Sequence, residues 1–183
     1  NVGVDAFECE IAREKIQDIN INLTTIPKGL GRAIIHPGSM QTPRCVNVHV
    51  PNKNETFDFV IPDCVSTTNG YSEIVTGFNL MASDPEYCKK FHHLKWLNTA
   101  FMYAANSRFK YVCAYKTYKR TKNELAKEYL IDYQKMAADA IALELTEKDF
   151  VDFLKLEFIS LEYDEGIVKR LQEKNWNIAL AYM

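Results

Sequence analysis

Strict alternation of apolar and polar residues marks two neighbouring stretches of this chain. Val46, Val48 and Val50 fall on one side of Cys45–Val50, and Phe57, Phe59 and Ile61 fall on one side of Thr56–Ile61. A period of two is the pattern of a half-buried strand. Pro51–Asn54 between them is turn chemistry, so the pair predicts a β-hairpin with one buried face, ended by Pro62. Upstream, Val4, Phe7, Ile11 and Ile19 recur at helical steps or their sums, which predicts a helix over Val4–Ile19. A loop containing Gly and Pro follows over Ile26–Pro43, with a short strand at Arg32–His36 inside it. Tyr71–Phe78 reads as a further strand.

The period changes after Ser83. Asp84 suits a helix N-cap, Pro85 the first helical position and Glu86 the positive end of the helix dipole. Phe91, Leu94, Leu97 and Phe101 then lie along one stripe. Thr121 and Glu124 have the spacing of a capping box and open a run through Leu125, Tyr129, Tyr133, Met136, Ala140 and Leu143. Thr146, before Glu147 and Asp149, opens a third run with Phe150, Phe153, Leu154 and Leu161 inward. Gly166 interrupts it ahead of a short helix carrying Val168 and Leu171, and Trp176–Met183 reads as an apolar docked tail. Segregated strands and helices predict an α+β fold: an N-terminal helix, a strand-rich section over 20–80 with the hairpin, and a mainly helical part over 84–175.

The 183 residues suit a single domain, 1–183. Hydrophobic residues at 47% and charged residues at 25% supply a core and exclude a disordered chain. No window approaches the apolar length of a membrane span, so no membrane partner is expected. Asn1–Glu10 carries acids and no basic cluster, unlike a signal or transit peptide. The cysteines at 9, 45, 64, 88 and 113 are odd in number and form no CxxC pair. They point away from a disulfide framework or a zinc finger and toward a reducing, cytoplasmic setting. Sequons at Asn22 and Asn54 do not outweigh this, because this many asparagines produce such triplets by chance.

Charge changes the picture more than composition does. The net charge is −2, yet Arg108–Lys127 holds seven basic residues against Glu124, and Glu144–Glu165 holds eight acids against Lys148 and Lys155. Within the basic run, Arg108, Lys110, Lys116, Lys119, Arg120 and Lys122 are candidate phosphate contacts. Tyr111, Tyr115 and Tyr118 share one face if the segment is a helix, and are candidate stacking groups for unpaired bases. The competing expectation is a core stripe of aromatic residues with a solvated basic back. The acidic run is a ready partner for the basic one, within the chain or on another copy.

Other chemistry is thinner. Cys88 and His92 lie four apart on a predicted helix, which is half a metal site or a thiol–imidazole pair; His36, His49 or His93 would have to complete a metal site. Buried cysteine as a small hydrophobe is the simpler reading. Lys28–Arg32 contains two glycines but neither a dinucleotide fingerprint nor a P-loop, and His36–Ser39 is no nucleophile elbow. No cofactor motif is complete. The sequence therefore points first to a non-enzymatic nucleic-acid-binding or self-assembling protein of nucleocapsid or coat type. Its expected partners are single-stranded RNA and further copies of itself. A protein-interaction module and a small thiol- or metal-dependent enzyme built on Cys88 and His92 are the alternatives.

Overall fold

The computed structural model describes residues 18–38, 44–52, 55–66, 68–90 and 93–183. The hairpin is present and extends slightly beyond its alternating core. Strand β3 (Cys45–Asn52) pairs antiparallel with β4 (Glu55–Pro62), with Val48 opposite Phe59 and Val46 opposite Ile61. Of the predicted turn Pro51–Asn54, Pro51 and Asn52 belong instead to β3, and Lys53 and Asn54 lie outside the described residues. Strand β1 (Ile19–Asn22) adds to β3 in parallel, giving the sheet order β1-β3-β4. A second, two-stranded ladder joins β2 (His36–Pro37) to β5 (Cys64–Val65). The predicted helix over Val4–Ile19 lies mostly outside the described residues, but its last position, Ile19, is strand.

Two further predictions give way. Arg32–His36 is not a strand: helix α1 (Leu30–Ile34) occupies most of it, and only His36 enters a strand. Gly29, at φ 85, takes the left-handed turn that starts this short helix. Tyr71–Phe78 lies within helix α2 (Thr68–Ser83), so the strand section ends at Val65. Ile74, Val75, Phe78 and Met81 are buried at three- and four-residue spacing. Their β-branched members suggest strand, but packing against the sheet decides for helix.

The sheet separates two apolar clusters. One face carries Val46, Val48, Val50, Phe57, Phe59 and Ile61 onto α2, with Phe59 meeting Phe78 edge to face at 5.9 Å. This cluster also takes in Cys88 of α3 (Pro85–Lys90) and Leu97 of α4 (His93–Asn98). Gly31 lets α1 approach α2: a Cβ there would stand 2.9 Å from Val75 Cα. The opposite face contributes Cys45 and Val60 to a second cluster built on α5 (Ser107–Thr121). Cys45 Sγ and Cys113 Sγ meet at 3.3 Å where β3 touches α5.

The helical part follows in short pieces. Of the predicted stripe Phe91, Leu94, Leu97 and Phe101, Phe91 lies outside the described residues. The rest is not one helix: α4 carries Leu94 and Leu97 and gives way to a 3-10 turn at Ala100–Tyr103 that carries Phe101. The capping box at Thr121 does not form, because α5 runs through Thr121 and Asn123 caps α6 (Glu124–Asp132) by accepting from Ala126 N at 2.9 Å. Tyr133 separates α6 from α7 (Gln134–Glu144), so Leu125, Tyr133 and Met136 are exposed while Ala126, Leu130, Ala137 and Ile141 face inward. Thr146 caps α8 (Glu147–Leu154) as its sequence predicts, and Phe150 and Phe153 are buried. Helix α9 (Glu165–Glu173) starts beside Gly166 with Asp164 as its cap. The tail docks through α10 (Asn177–Leu180), where Ile178 N and Ala179 N donate to Glu147 Oε1 at 2.8 and 3.0 Å. The fold is α+β, and no helix among the described residues is long and apolar enough to cross a membrane.

Candidate functional site

Helix α5 holds most of the predicted site residues. Asn106 starts it by accepting from Phe109 N at 2.9 Å, and Lys122, at φ 55, ends it in a left-handed turn. Phe109, Val112, Cys113, Ala114, Tyr115 and Thr117 are buried, so the helix is packed along most of its circumference. The basic residues therefore leave at its margins, where acids from other elements meet them. Arg108 pairs with Glu144 at 3.0 Å and Lys116 with Asp18 at 2.7 Å. Lys119 bridges Asp149 at 2.9 Å and Asp152 at 3.1 Å. Arg120 reaches Asp58 of β4 at 3.4 Å. The acidic stretch thus partners Arg108 and Lys119 within one chain, while Asp18 and Asp58, from outside it, partner Lys116 and Arg120.

The tyrosines do not form one exposed ladder. Tyr115 is 1% exposed, lies edge to face with Phe153 at 5.8 Å, and donates from Oη to Asp149 O at 3.0 Å. Burial pushes its phenol up to about 12. It cannot stack on a ligand. Tyr111 packs against Tyr129 and Tyr133 at 5.7 and 5.8 Å, with its Oη 3.0 Å from Met136 Sδ. Tyr118 meets Phe158 edge to face at 5.0 Å and lies under the Lys122 ammonium at 5.0 Å. Lys110 and Lys122 make no ion pair among the described residues.

One predicted residue joins a concave site. Arg120 stands at the edge of an open pocket of about 470 Å³, between the hairpin, α3–α4 and the α5–α6 junction. Its polar lining comes from Arg120, Lys89, Asp58, Thr56, Thr121, Asn98 and Asn123. Asp58 is shared: His49 Nδ1 lies 2.9 Å from the same oxygen that Arg120 approaches. Lys89 contacts Glu86 at 3.3 Å and places its ammonium 5.1 Å from the Phe57 ring centre. Asn123 Nδ2 donates to Asn98 O at 3.3 Å and ties α6 to α4 across the pocket. Such a site offers two cations, one carboxylate and several amide and hydroxyl groups, which suits an anionic ligand with hydrogen-bonding edges. Sequence reasoning singles out Arg120 alone of these as a binding residue, because Asp58, Lys89 and Asn98 come from elements far apart in the chain and Thr121 reads as a helix cap.

A second group also escapes the sequence pattern. Tyr87 and His93 stack at 5.7 Å with an interplanar angle of 17°, and His93 lies 4.7 Å from Trp96. His93 Nδ1 is buried and has no hydrogen-bond partner among the described residues.

The thiol and metal expectations find little support. Cys88 is fully buried, its Sγ 3.8 Å from Gly77 O, and burial pushes its thiol up to about 11. The side chain of His92 lies outside the described residues. Among the described residues no three His, Cys, Asp or Glu side chains gather as a metal site, and His49 is engaged by Asp58. No protein-family model matches the chain, and neither a curated protein nor a solved structure matches it.

Proposed function

We propose that this protein binds single-stranded RNA without catalysing a reaction, and that the strand enters the pocket at the C-terminal end of α5. The observation that carries this reading is the convergence of Arg120 and Lys89 on one open pocket also lined by Asn98, Thr121 and Asn123. Cations there neutralise phosphates, while amides and hydroxyls bond to ribose or base edges. The volume, about 470 Å³, falls in the range of small-ligand sites and suits roughly one nucleotide of an extended strand. Lys122, just beyond Arg120 and without an ionic partner among the described residues, extends the basic edge. Arg108, Lys116 and Lys119 act instead as scaffold: they pair with Glu144, Asp18 and Asp149 and do not line the pocket. Arg120 and Lys89 line it, although they too contact acids, Asp58 and Glu86. Free thiols at Cys45, Cys64, Cys88 and Cys113 support a reducing, cytoplasmic setting.

The test is fluorescence anisotropy with a labelled single-stranded RNA at low and moderate salt. Wild type should bind with affinity that falls as salt rises. Lys89→Glu combined with Arg120→Gln should lower affinity at least tenfold and flatten the salt slope by about 0.7 for each phosphate no longer neutralised. Lys169→Glu, on the exposed face of α9, should bind as wild type does. No binding at low salt, or equal binding by the double variant once circular dichroism shows it folded, would overturn the assignment.

A further inference from the structure

We infer that Tyr87, His93 and Trp96 form a stacking platform for unpaired bases, reached by a strand that leaves the pocket and crosses α4 over Lys95. This rests on the RNA reading of the pocket and names where the bases go. The three rings form a continuous series across the α3–α4 junction, at 5.7 and 4.7 Å. It is not sealed into the core, because Tyr87 is 42% exposed.

Helix geometry places the series next to the pocket. Leu94 and Asn98 line the pocket and lie four apart, hence on one side of α4. Leu97 points into the core. Trp96, two residues from each pocket position, falls on the opposite flank. Lys95 is exposed on the outer surface between the two flanks. A strand crossing there would keep a phosphate near Lys95 while one end sits by Arg120 and Lys89 and the other by Trp96.

Charge favours RNA as the occupant. Asp84–Asn98 contains Lys89, Lys90 and Lys95 against two acids, Asp84, which accepts from Tyr87 N, and Glu86, which contacts Lys89. Aromatic faces flanked by cations bind single strands with little sequence preference. The other aromatic group, Tyr111, Tyr129 and Tyr133, is a poorer platform. The Tyr129 ring is already engaged by Phe101, Tyr111 and Tyr133, at 5.4, 5.7 and 4.9 Å, and exposed Glu128 and Asp132 on the same helix would repel phosphates.

Tryptophan emission reads the proposal directly. In a Trp176→Phe background Trp96 is the sole tryptophan. An oligouridylate should quench it saturably, whereas an abasic ribose-phosphate oligomer of equal length should bind more weakly and leave the emission unchanged. Tyr87→Leu, which removes the ring and keeps apolar packing, should erase about tenfold of the preference for oligouridylate over the abasic strand without altering the salt slope. His93→Phe, which keeps a ring, should retain that preference. If Lys89→Glu with Arg120→Gln weakens binding but Trp96 never responds, the platform falls and the pocket stands. If Trp96 responds and Tyr87→Leu erases the preference while the pocket variant binds normally, the pocket falls and the platform stands. Absence of any oligonucleotide binding overturns both.

Discussion

Lys119 Nζ lies 2.9 Å from Asp149 Oδ1, and that contact closes the basic stretch of α5 onto the acidic stretch of α8. Burial of the Lys119 ammonium works against its charge, but the bonds to Asp149 and Asp152 outweigh it and hold the group above the ordinary lysine range. Burial also opposes the charge on Asp149, and the bonds from Lys119 and Thr146 bring its carboxyl below the ordinary range. Asp152 is lowered chiefly by Lys148 and then by Lys119.

The sign of each shift defines a pH window. The lowered carboxyls contribute stability that is complete above about pH 4 and disappears as pH falls through their folded values. The raised lysine contributes stability that is complete below about pH 10 and disappears as pH rises through its folded value. Lys119 is 45% exposed, so water screens the pairs. Lys119→Met should therefore cost only about 1 kcal/mol at pH 7, and the deficit should shrink toward pH 2. Urea titrations at pH 7 and pH 2.5 check this; an undiminished deficit at low pH would show that packing by the lysine stem dominates.

Arg44 and Asp63 should behave differently, because Asp63 is buried. Its side chain is 3% exposed and receives a hydrogen bond from Arg44 Nε. Burial raises the Asp63 carboxyl, and Arg44 only partly offsets it. Arg44→Met strands a buried carboxylate and should cost about 3 kcal/mol at pH 8. A raised carboxyl favours the folded state when protonated, so the deficit should be smaller at pH 5. Denaturant midpoints at the two pH values decide the matter, and an equal deficit at both would contradict the buried-charge account.

Tyr115 offers a separation of stability from binding. Tyr115→Phe removes the bond to Asp149 O and should cost about 1 kcal/mol, whereas Tyr115→Ala should cost about 4 kcal/mol through the cavity. RNA affinity of the folded Phe variant should equal that of wild type. A tenfold loss would return Tyr115 to the binding surface and contradict its burial.

Thiol chemistry gives a direct check on the enzyme alternative. Cys45, Cys64, Cys88 and Cys113 are all buried. The hydrogen bond to Cys113, followed by burial, holds the Cys45 thiol well above its ordinary range, and burial alone does the same for Cys88. Because the thiolate is the nucleophile, a Cys9→Ser variant should show no rapidly reacting thiol toward an aromatic disulfide reagent at pH 7.5 until denaturant is added. Fast modification that is lost in Cys88→Ser would revive a catalytic thiol.

Local periodicity was legible in the hairpin and at several helix starts, but not in α2. Val46, Val48 and Val50 against Phe57, Phe59 and Ile61 specify the hairpin, because a one-residue slip would turn every apolar side chain away from the core. Asp84 and Thr146 specify helix starts, because their oxygens meet backbone donors three residues on, at Tyr87 and Asp149. Tyr71–Phe78 misled, because β-branched residues suit a strand and a packed helix alike. Thr121 misled too: its hydroxyl bonds back to Thr117 O at 2.7 Å, and Asn123 takes over the capping.

The order of residues was enough to set the α+β arrangement, the hairpin and the opposed charge of the two stretches, since each depends on residues near one another in the chain. What those charges do was settled by packing in three dimensions. The acids that meet α5 come from Asp18, Asp58, Glu144, Asp149 and Asp152, and no local spacing predicts a distance between side chains dozens of residues apart. The same holds for the pocket. Lys89 and Arg120 lie thirty-one positions apart in the chain and share one cavity because the sheet holds α3 and α5 on either side of it.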